Sequence, residues 1–166
     1  IFWASGACFF IRNSVYHELN GFDADFFAHQ EEIDLCWRAF NKGYKMVYNY
    51  KSVVYHVGGA TLQQGNPRKT FLNFRNSLLM LTKNLPKEKL YSILFYRMLL
   101  DGLAGIQFIF KGQFSHFTAI LKAHFSFYRL FSNTYKKRSD FQLKKYYTCQ
   151  SIVYNYYVNG GKVFVS

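Results

Sequence analysis

The sequence predicts an α/β chain: a partial sheet segment over residues 1–66, then a helical, basic and aromatic region over residues 67–166. Three observations carry that expectation. Apolar runs rich in β-branched and aromatic residues flank an amphipathic helix in the order strand, helix, strand. From Asn66 onward the apolar residues recur at helical spacing. The charge divides at the same place: residues 1–66 carry five Lys/Arg and six Asp/Glu, residues 67–166 sixteen and three.

Taken in order, "IFWASGACFFIR" reads as a strand, a tight approach at Gly6 and a second short strand. "NSVYHEL" reads as a short helix capped by Asn13 or Ser14, and Asn20-Gly21 marks a turn. A helix begins at Glu31. At about 100° per residue, Ile33, Cys36, Trp37 and Phe40 share one face, while Glu31, Glu32, Asp34 and Arg38 share the other. Asn41-Lys42-Gly43 ends it, with Gly43 as the left-handed stop. "YKMVYNY" and "SVVYHVGG" then read as two strands, the second running into Gly58-Gly59.

Beyond these, "NPRKTFLNFRNSLLMLTKN" reads as a helix to Asn84, broken by Pro86. "KEKLYSILFYRMLLDGLAGIQFIF" is one long helix, and Leu90–Phe110 has the length of a membrane span. Arg97 and Asp101 sit in its middle. Each charge costs roughly 2.5–3.5 kcal/mol at a bilayer centre, which argues against a simple lipid-exposed span. "FSHFTAILKAHFSFYRLF" is a further aromatic helix, and "YKKRSDFQLKK" a basic run. These elements are expected to rest on a membrane face or to form a soluble helical cap on the first part.

Half the residues are hydrophobic and 21% aromatic, which excludes a disordered chain and is ample for a core. Ile1 has no initiator Met and no signal-peptide pattern before it, so a fragment is expected. Cys8, Cys36 and Cys149 are odd in number and far apart. They are expected as buried reduced thiols in a cytosolic compartment. No phosphate-binding glycine motif, nucleophile elbow or H-E-x-x-H motif occurs.

The acids Glu31, Glu32 and Asp34 fall in one first helical turn, where the macrodipole favours negative charge by about 0.3–1 kcal/mol each. An ionised carboxylate in a cleft can take a proton from an incoming hydroxyl. Arg38, one turn after Asp34, can hold it and leave a glutamate free. From the spacing alone a solvated helix start is the commoner reading, since acids at helix starts are usually solvated. His56, before Gly58-Gly59, is placed to ligate a metal or touch a phosphate, or to serve as a structural histidine. His29 is as readily a loop side chain as a participant.

"SGACFFIRNSVYHELNGFDADFF", then "EEIDLCWRAFNKGYKMVYNYKSVVYHVGG", then "FRNSLLMLTKN" occur in an order that resembles the second half of family 2 glycosyltransferases, particularly the rhamnosyltransferase-like bacterial enzymes of polysaccharide or glycolipid assembly. The resemblance covers residues 1–85. It implies a GT-A fold, with a Rossmann-like sheet whose nucleotide-binding half lies upstream, so the fragment alone is expected to be inactive. It implies inverting transfer of a hexosyl or deoxyhexosyl group from a nucleotide-sugar donor to a saccharide or lipid-linked acceptor. Glu32 takes the position of the base, with Glu31 the alternate and Asp34 and Arg38 supporting. Gly6, Ala7, Asp23 and Trp37 correspond to the acceptor or substrate side, and His56 to the metal or diphosphate contact. The cofactor implied is Mg or Mn, held mainly by an upstream Asp-x-Asp; Asp23-Ala24-Asp25 aligns with a later loop. The expected location is cytoplasmic, on the inner face of the membrane, with no nucleic-acid partner. The competing readings for the basic aromatic half are a nucleic-acid-binding module and a non-catalytic interaction domain.

Overall fold

Helix α3 (Pro67–Asn84) begins where its residues dictate. The Asn66 side chain accepts a hydrogen bond from the Arg68 backbone N–H at 2.8 Å, and Pro67 occupies the first helical position, where no N–H is needed. Pro86 separates it from α4 (Lys87–Phe110), and Gly112, at φ +68°, turns the chain into α5 (Phe114–Lys136). Earlier in the chain stand α1 (Asn13–Glu18), a 3₁₀ turn (Ala24–Phe26) and α2 (Glu31–Asn41); α6 (Ile152–Tyr157) comes last. The computed structural model describes residues 1–56, 65–139, 141–144, 147 and 152–160.

Helix α2 starts at Glu31 and stops at the expected glycine. Gly43 has φ +84°; its N–H reaches the Phe40 carbonyl and the Tyr44 N–H the Ala39 carbonyl, so the last carbonyls are satisfied by a Schellman closure. Helix α1 begins one residue earlier than the capping residues imply. Arg12 stands at its N-cap and supplies no side-chain hydrogen bond.

The core is helical. Leu78 and Leu79 of α3, Leu90 and Leu94 of α4 and Phe127 of α5 enclose Phe26, Trp37 and Leu85. Helices α3 and α5 form the most extensive packing, with α4 on both and α2 against α3. A smaller cluster joins Val15 and Leu19 to Leu35 and Ala39. Buried contacts therefore cross the composition boundary between residues 66 and 67.

The α/β expectation is overturned. Among the described residues no strand forms, and the elements are helices joined by irregular connections. Residues 1–12 and 44–56 form no regular element, with turns at Gly6-Ala7 and Tyr50-Lys51, and the Ile1 ammonium donates to the Met46 carbonyl at 3.1 Å, but no ladder follows. The physical reason is the lack of partners: a lone pair of extended segments is marginal in water. The apolar side chains that a sheet would bury are in solvent, with Val47 87% and Tyr55 96% exposed. Gly58, Gly59 and Cys149 lie outside the described residues.

Two further expectations change. Asp34, placed on the solvated face of α2 by its wheel, is 0% exposed because α3 covers that face. Of the thiols, Cys36 is buried, and burial pushes it up, whereas Cys8 is exposed.

Helix α4 is long and apolar enough to cross a membrane by length and composition. Its charged pair is internal: Arg97 Nε lies 2.7 Å from Asp101 Oδ1, and His124 of α5 lies 3.1 Å from Asp101 Oδ2. Tyr91, Phe95, Leu99, Leu103, Ile106 and Phe110 face outward along the whole helix.

Phe127 is 1% exposed where α5 meets Phe26 and Trp37. Phe127→Ala is expected to cost about 3–5 kcal/mol, read as a lowered urea midpoint with an unchanged slope.

Candidate functional site

The site is built around the start of α2. The loop before it departs from ordinary backbone three times: Phe27, His29 and Gln30 have φ of +62°, +69° and +73°. Positive φ on a non-glycine residue costs on the order of 1–3 kcal/mol and persists only where the surroundings enforce it. Gln30 donates from Nε2 to Ser77 Oγ of α3 at 2.9 Å.

Asp34 is the anchor. Its Oδ2 lies 2.8 Å from Arg38 Nε and Nη2 and 2.9 Å from Lys83 Nζ; its Oδ1 accepts from Asn84 Nδ2 at 2.8 Å. Arg38 also donates to the Leu19 and Gly21 carbonyls, which binds the Asn20-Gly21 turn to α2. The holding of Asp34 by Arg38 expected from their spacing is present.

Asp23 is held from two helices. Lys83 Nζ lies 2.8 Å from its Oδ2 and Lys137 Nζ 2.7 Å from its Oδ1. Burial pushes its carboxyl up, but the hydrogen bonds from Lys137 and Lys83 outweigh this and lower it to about 2. Asp25 takes Lys137 Nζ at 2.6 Å and Asn133 Nδ2 at 3.2 Å. Both acids of Asp23-Ala24-Asp25 are thus committed to cations and an amide.

Glu31 and Glu32 differ from these acids. Both are half-buried, and the Oε2 of each is shielded from solvent without a hydrogen-bond partner, as is His29 Nε2. An unpartnered, desolvated oxygen is costly and is ready to accept a ligand's O–H. Gly6 lies along Glu32: a Cβ on Gly6 would stand 3.6 Å from Glu32 Cδ. The Ala4 backbone meets the Cys36 thiol and holds this segment on α2. Ala7 is exposed beside Gly6, its N–H on Ser5 Oγ at 3.2 Å.

The structure therefore brings Gly6, Glu32, Asp34 and Arg38 together around one helix start. Trp37 is placed otherwise. It is buried in the apolar core, edge-on to Phe2 with ring centroids 5.4 Å apart. His56 is exposed. Among the described residues no three His, Cys, Asp or Glu side chains gather as metal ligands. They do not fit a metal centre of their own.

Lys83 and Asn84 escaped the sequence reading. A signal exists: Leu72, Asn76, Leu79 and Lys83 follow one helical face, so Asn76 and Lys83 fall where the period calls for apolar residues. All four are buried.

Because Asp23 is lowered in the folded state, its contribution to stability is complete above about pH 4 and is lost as pH falls toward 2. At about 1.4 kcal/mol per pH unit the loss is about 2 kcal/mol. Urea unfolding from pH 5 to pH 2 should show this fall, and Asp23→Asn should remove that part of it.

Comparison with known proteins gives a partial likeness. A stretch of 54 residues, 32% of this chain, is 35% identical to N-acetylglucosaminyl-diphospho-decaprenol L-rhamnosyltransferase of Mycobacterium tuberculosis, strain CDC 1551 / Oshkosh. The same protein of strain ATCC 25618 / H37Rv matches equally. The match spans 18% of each relative's length. No family model matches the chain, and no solved structure does. The shown relation is this local similarity to a rhamnosyltransferase.

Proposed function

We propose that the chain is part of a glycosyltransferase related to the family 2, rhamnosyltransferase-like enzymes, and that it carries the carboxylate that activates the acceptor. The observation that carries this reading is Glu32. Its carboxylate stands at a helix start beside Gly6, with one desolvated oxygen left without a partner. The local similarity to a rhamnosyltransferase supports the same class.

In this reading Glu32 takes the proton of an acceptor hydroxyl as that oxygen forms its bond to the anomeric carbon of a nucleotide-sugar. The bond from that carbon to the diphosphate breaks on the opposite face, and its electron pair leaves with the nucleoside diphosphate. The anomeric configuration inverts. Glu31 orients the acceptor or stands in as base; Asp34 and Arg38 fix the helix that presents both. Gly6 and Ala7 line the acceptor side, and Asp23 holds the preceding loop. The Mg or Mn implied by the resemblance finds no ligand set among the described residues.

The acceptor is a saccharide or lipid-linked saccharide at the inner face of the bacterial cell membrane. The outward stripe of α4 supports a lipid surface over a nucleic acid, since Leu99, Leu103, Ile106 and Phe110 offer apolar area. The excess of Lys/Arg over residues 67–166 suits anionic headgroups.

Glu32→Gln in the complete enzyme should lower sugar transfer by about 10²–10⁴-fold with an unchanged circular dichroism spectrum. Unchanged turnover sinks the assignment. Flotation should recover the protein with phosphatidylglycerol vesicles, and Leu99→Asp with Leu103→Asp should reduce that recovery. Equal recovery of both forms would remove α4 from the contact.

A further inference from the structure

Two adjacent residues of α3, Arg75 and Asn76, meet the loop before α2 at its most distorted point. Phe27, with φ +62° and ψ −59°, is the centre of a γ-turn closed by the Ala28 N–H on the Phe26 carbonyl at 2.7 Å. That turn is rare and strained, so an isolated loop does not keep it. Here the carbonyls of Asp25, Phe26, Ala28 and His29 are taken by α3. Asn76 Nδ2 donates to Phe26 O at 2.9 Å, Ala28 O at 2.8 Å and His29 O at 2.7 Å. Arg75 Nη2 donates to Asp25 O at 2.8 Å and Phe26 O at 3.1 Å.

The two side chains work as one device. Arg75 Nε–H donates to Asn76 Oδ1 at 2.9 Å, which settles which end of the amide faces the loop. The amide's two hydrogens are shared among three carbonyls on a residue that is itself fully buried. The loop so gripped ends at Gln30, immediately before Glu31 and Glu32. A shift of its backbone would move the first turn of α2 relative to Gly6.

We propose that Arg75 and Asn76 are positioning residues: they hold the loop over residues 25–29 in its strained form and thereby set where the Glu32 carboxylate meets the acceptor. This rests on the reading of Glu32 as the base, but the grip itself is testable without turnover. Neither side chain touches the carboxylates; they act through the backbone between.

The test is amide hydrogen exchange on the complete protein, followed by mass spectrometry, for the parent, Arg75→Ala and Arg75→Lys. Arg75→Ala is expected to accelerate exchange in peptides covering residues 24–32 by about tenfold or more, with α4 and α5 at the parental rate. Arg75→Lys can reach the carbonyls but cannot also orient the amide, so it should recover part of the protection; if the alanine variant does not fold, the lysine variant carries the measurement. In sugar transfer, kcat should fall by about tenfold with acceptor KM unchanged. Unchanged exchange over residues 24–32, equal acceleration over α4 and α5, or local acceleration with unaltered kcat would each overturn the proposal. A parent that transfers no sugar removes the glycosyltransferase reading, and exchange still decides whether the grip exists.

Discussion

A carboxylate removed from water must be given cations and donors, and Asp34 is the place where this chain meets that demand. Leaving such a group without its partner costs about 3–5 kcal/mol, so each neighbour of Asp34 is constrained in turn. Arg38 comes from the same helix, while Lys83 and Asn84 come from the end of α3. Arg38 reaches back to the Asn20-Gly21 turn, and Lys83 reaches across to Asp23. One buried acid thereby ties α2, the preceding loop and α3 into a single body. The apolar cluster of Leu78, Leu79, Trp37 and Phe26 closes around the same junction.

The parts of this arrangement legible in the sequence are those decided locally. Pro67, Pro86 and Gly43 mark boundaries because of their own backbone chemistry, and the structure observes all three. Arg38 on Asp34 is likewise local, since one helical turn brings them together. What failed depends on distant partners. Residues 44–56 have the composition of strands, but β-propensity describes fitness for a half-buried pleated surface, and no described segment supplies one. The α2 wheel misplaces the solvent: Leu35 and Ala39 fall in its polar sector and are buried in a core cluster, and α3 covers the side that carries Asp34. Trp37 was expected at the substrate and lies in the core for the same reason: its neighbours, Phe2 and Leu78 among them, are remote in sequence.

Helix α4 shows why composition alone left two readings open. A long apolar helix with a central Arg and Asp is a poor lipid-exposed span and an odd core helix. The structure divides the problem by face. Asp101 turns inward to Arg97 and His124, where a desolvated acid is paired. The opposite side keeps Leu99, Leu103 and Ile106 in solvent. Charge and apolar area occupy different sectors of one cylinder, so a helix that packs on α5 also retains a surface for a further partner. Exposed apolar patches of this continuity mark interaction sites in soluble proteins.

The same division by surroundings separates the acids of α2. Glu31, Glu32 and Asp34 share one first turn and one kind of functional group, yet their surroundings differ. Asp34 points at α3 and accepts from Arg38, Lys83 and Asn84, which exhausts its capacity for a ligand. Glu31 and Glu32 each keep a shielded oxygen free of partners. An acid saturated with donors has no lone pair left for a ligand, and one with a shielded, unpartnered oxygen keeps that place open. Asp34 is one of several ties, with Gln30 on Ser77 and Trp37 in the core, that hold this half-buried helix start against α3 beside Gly6.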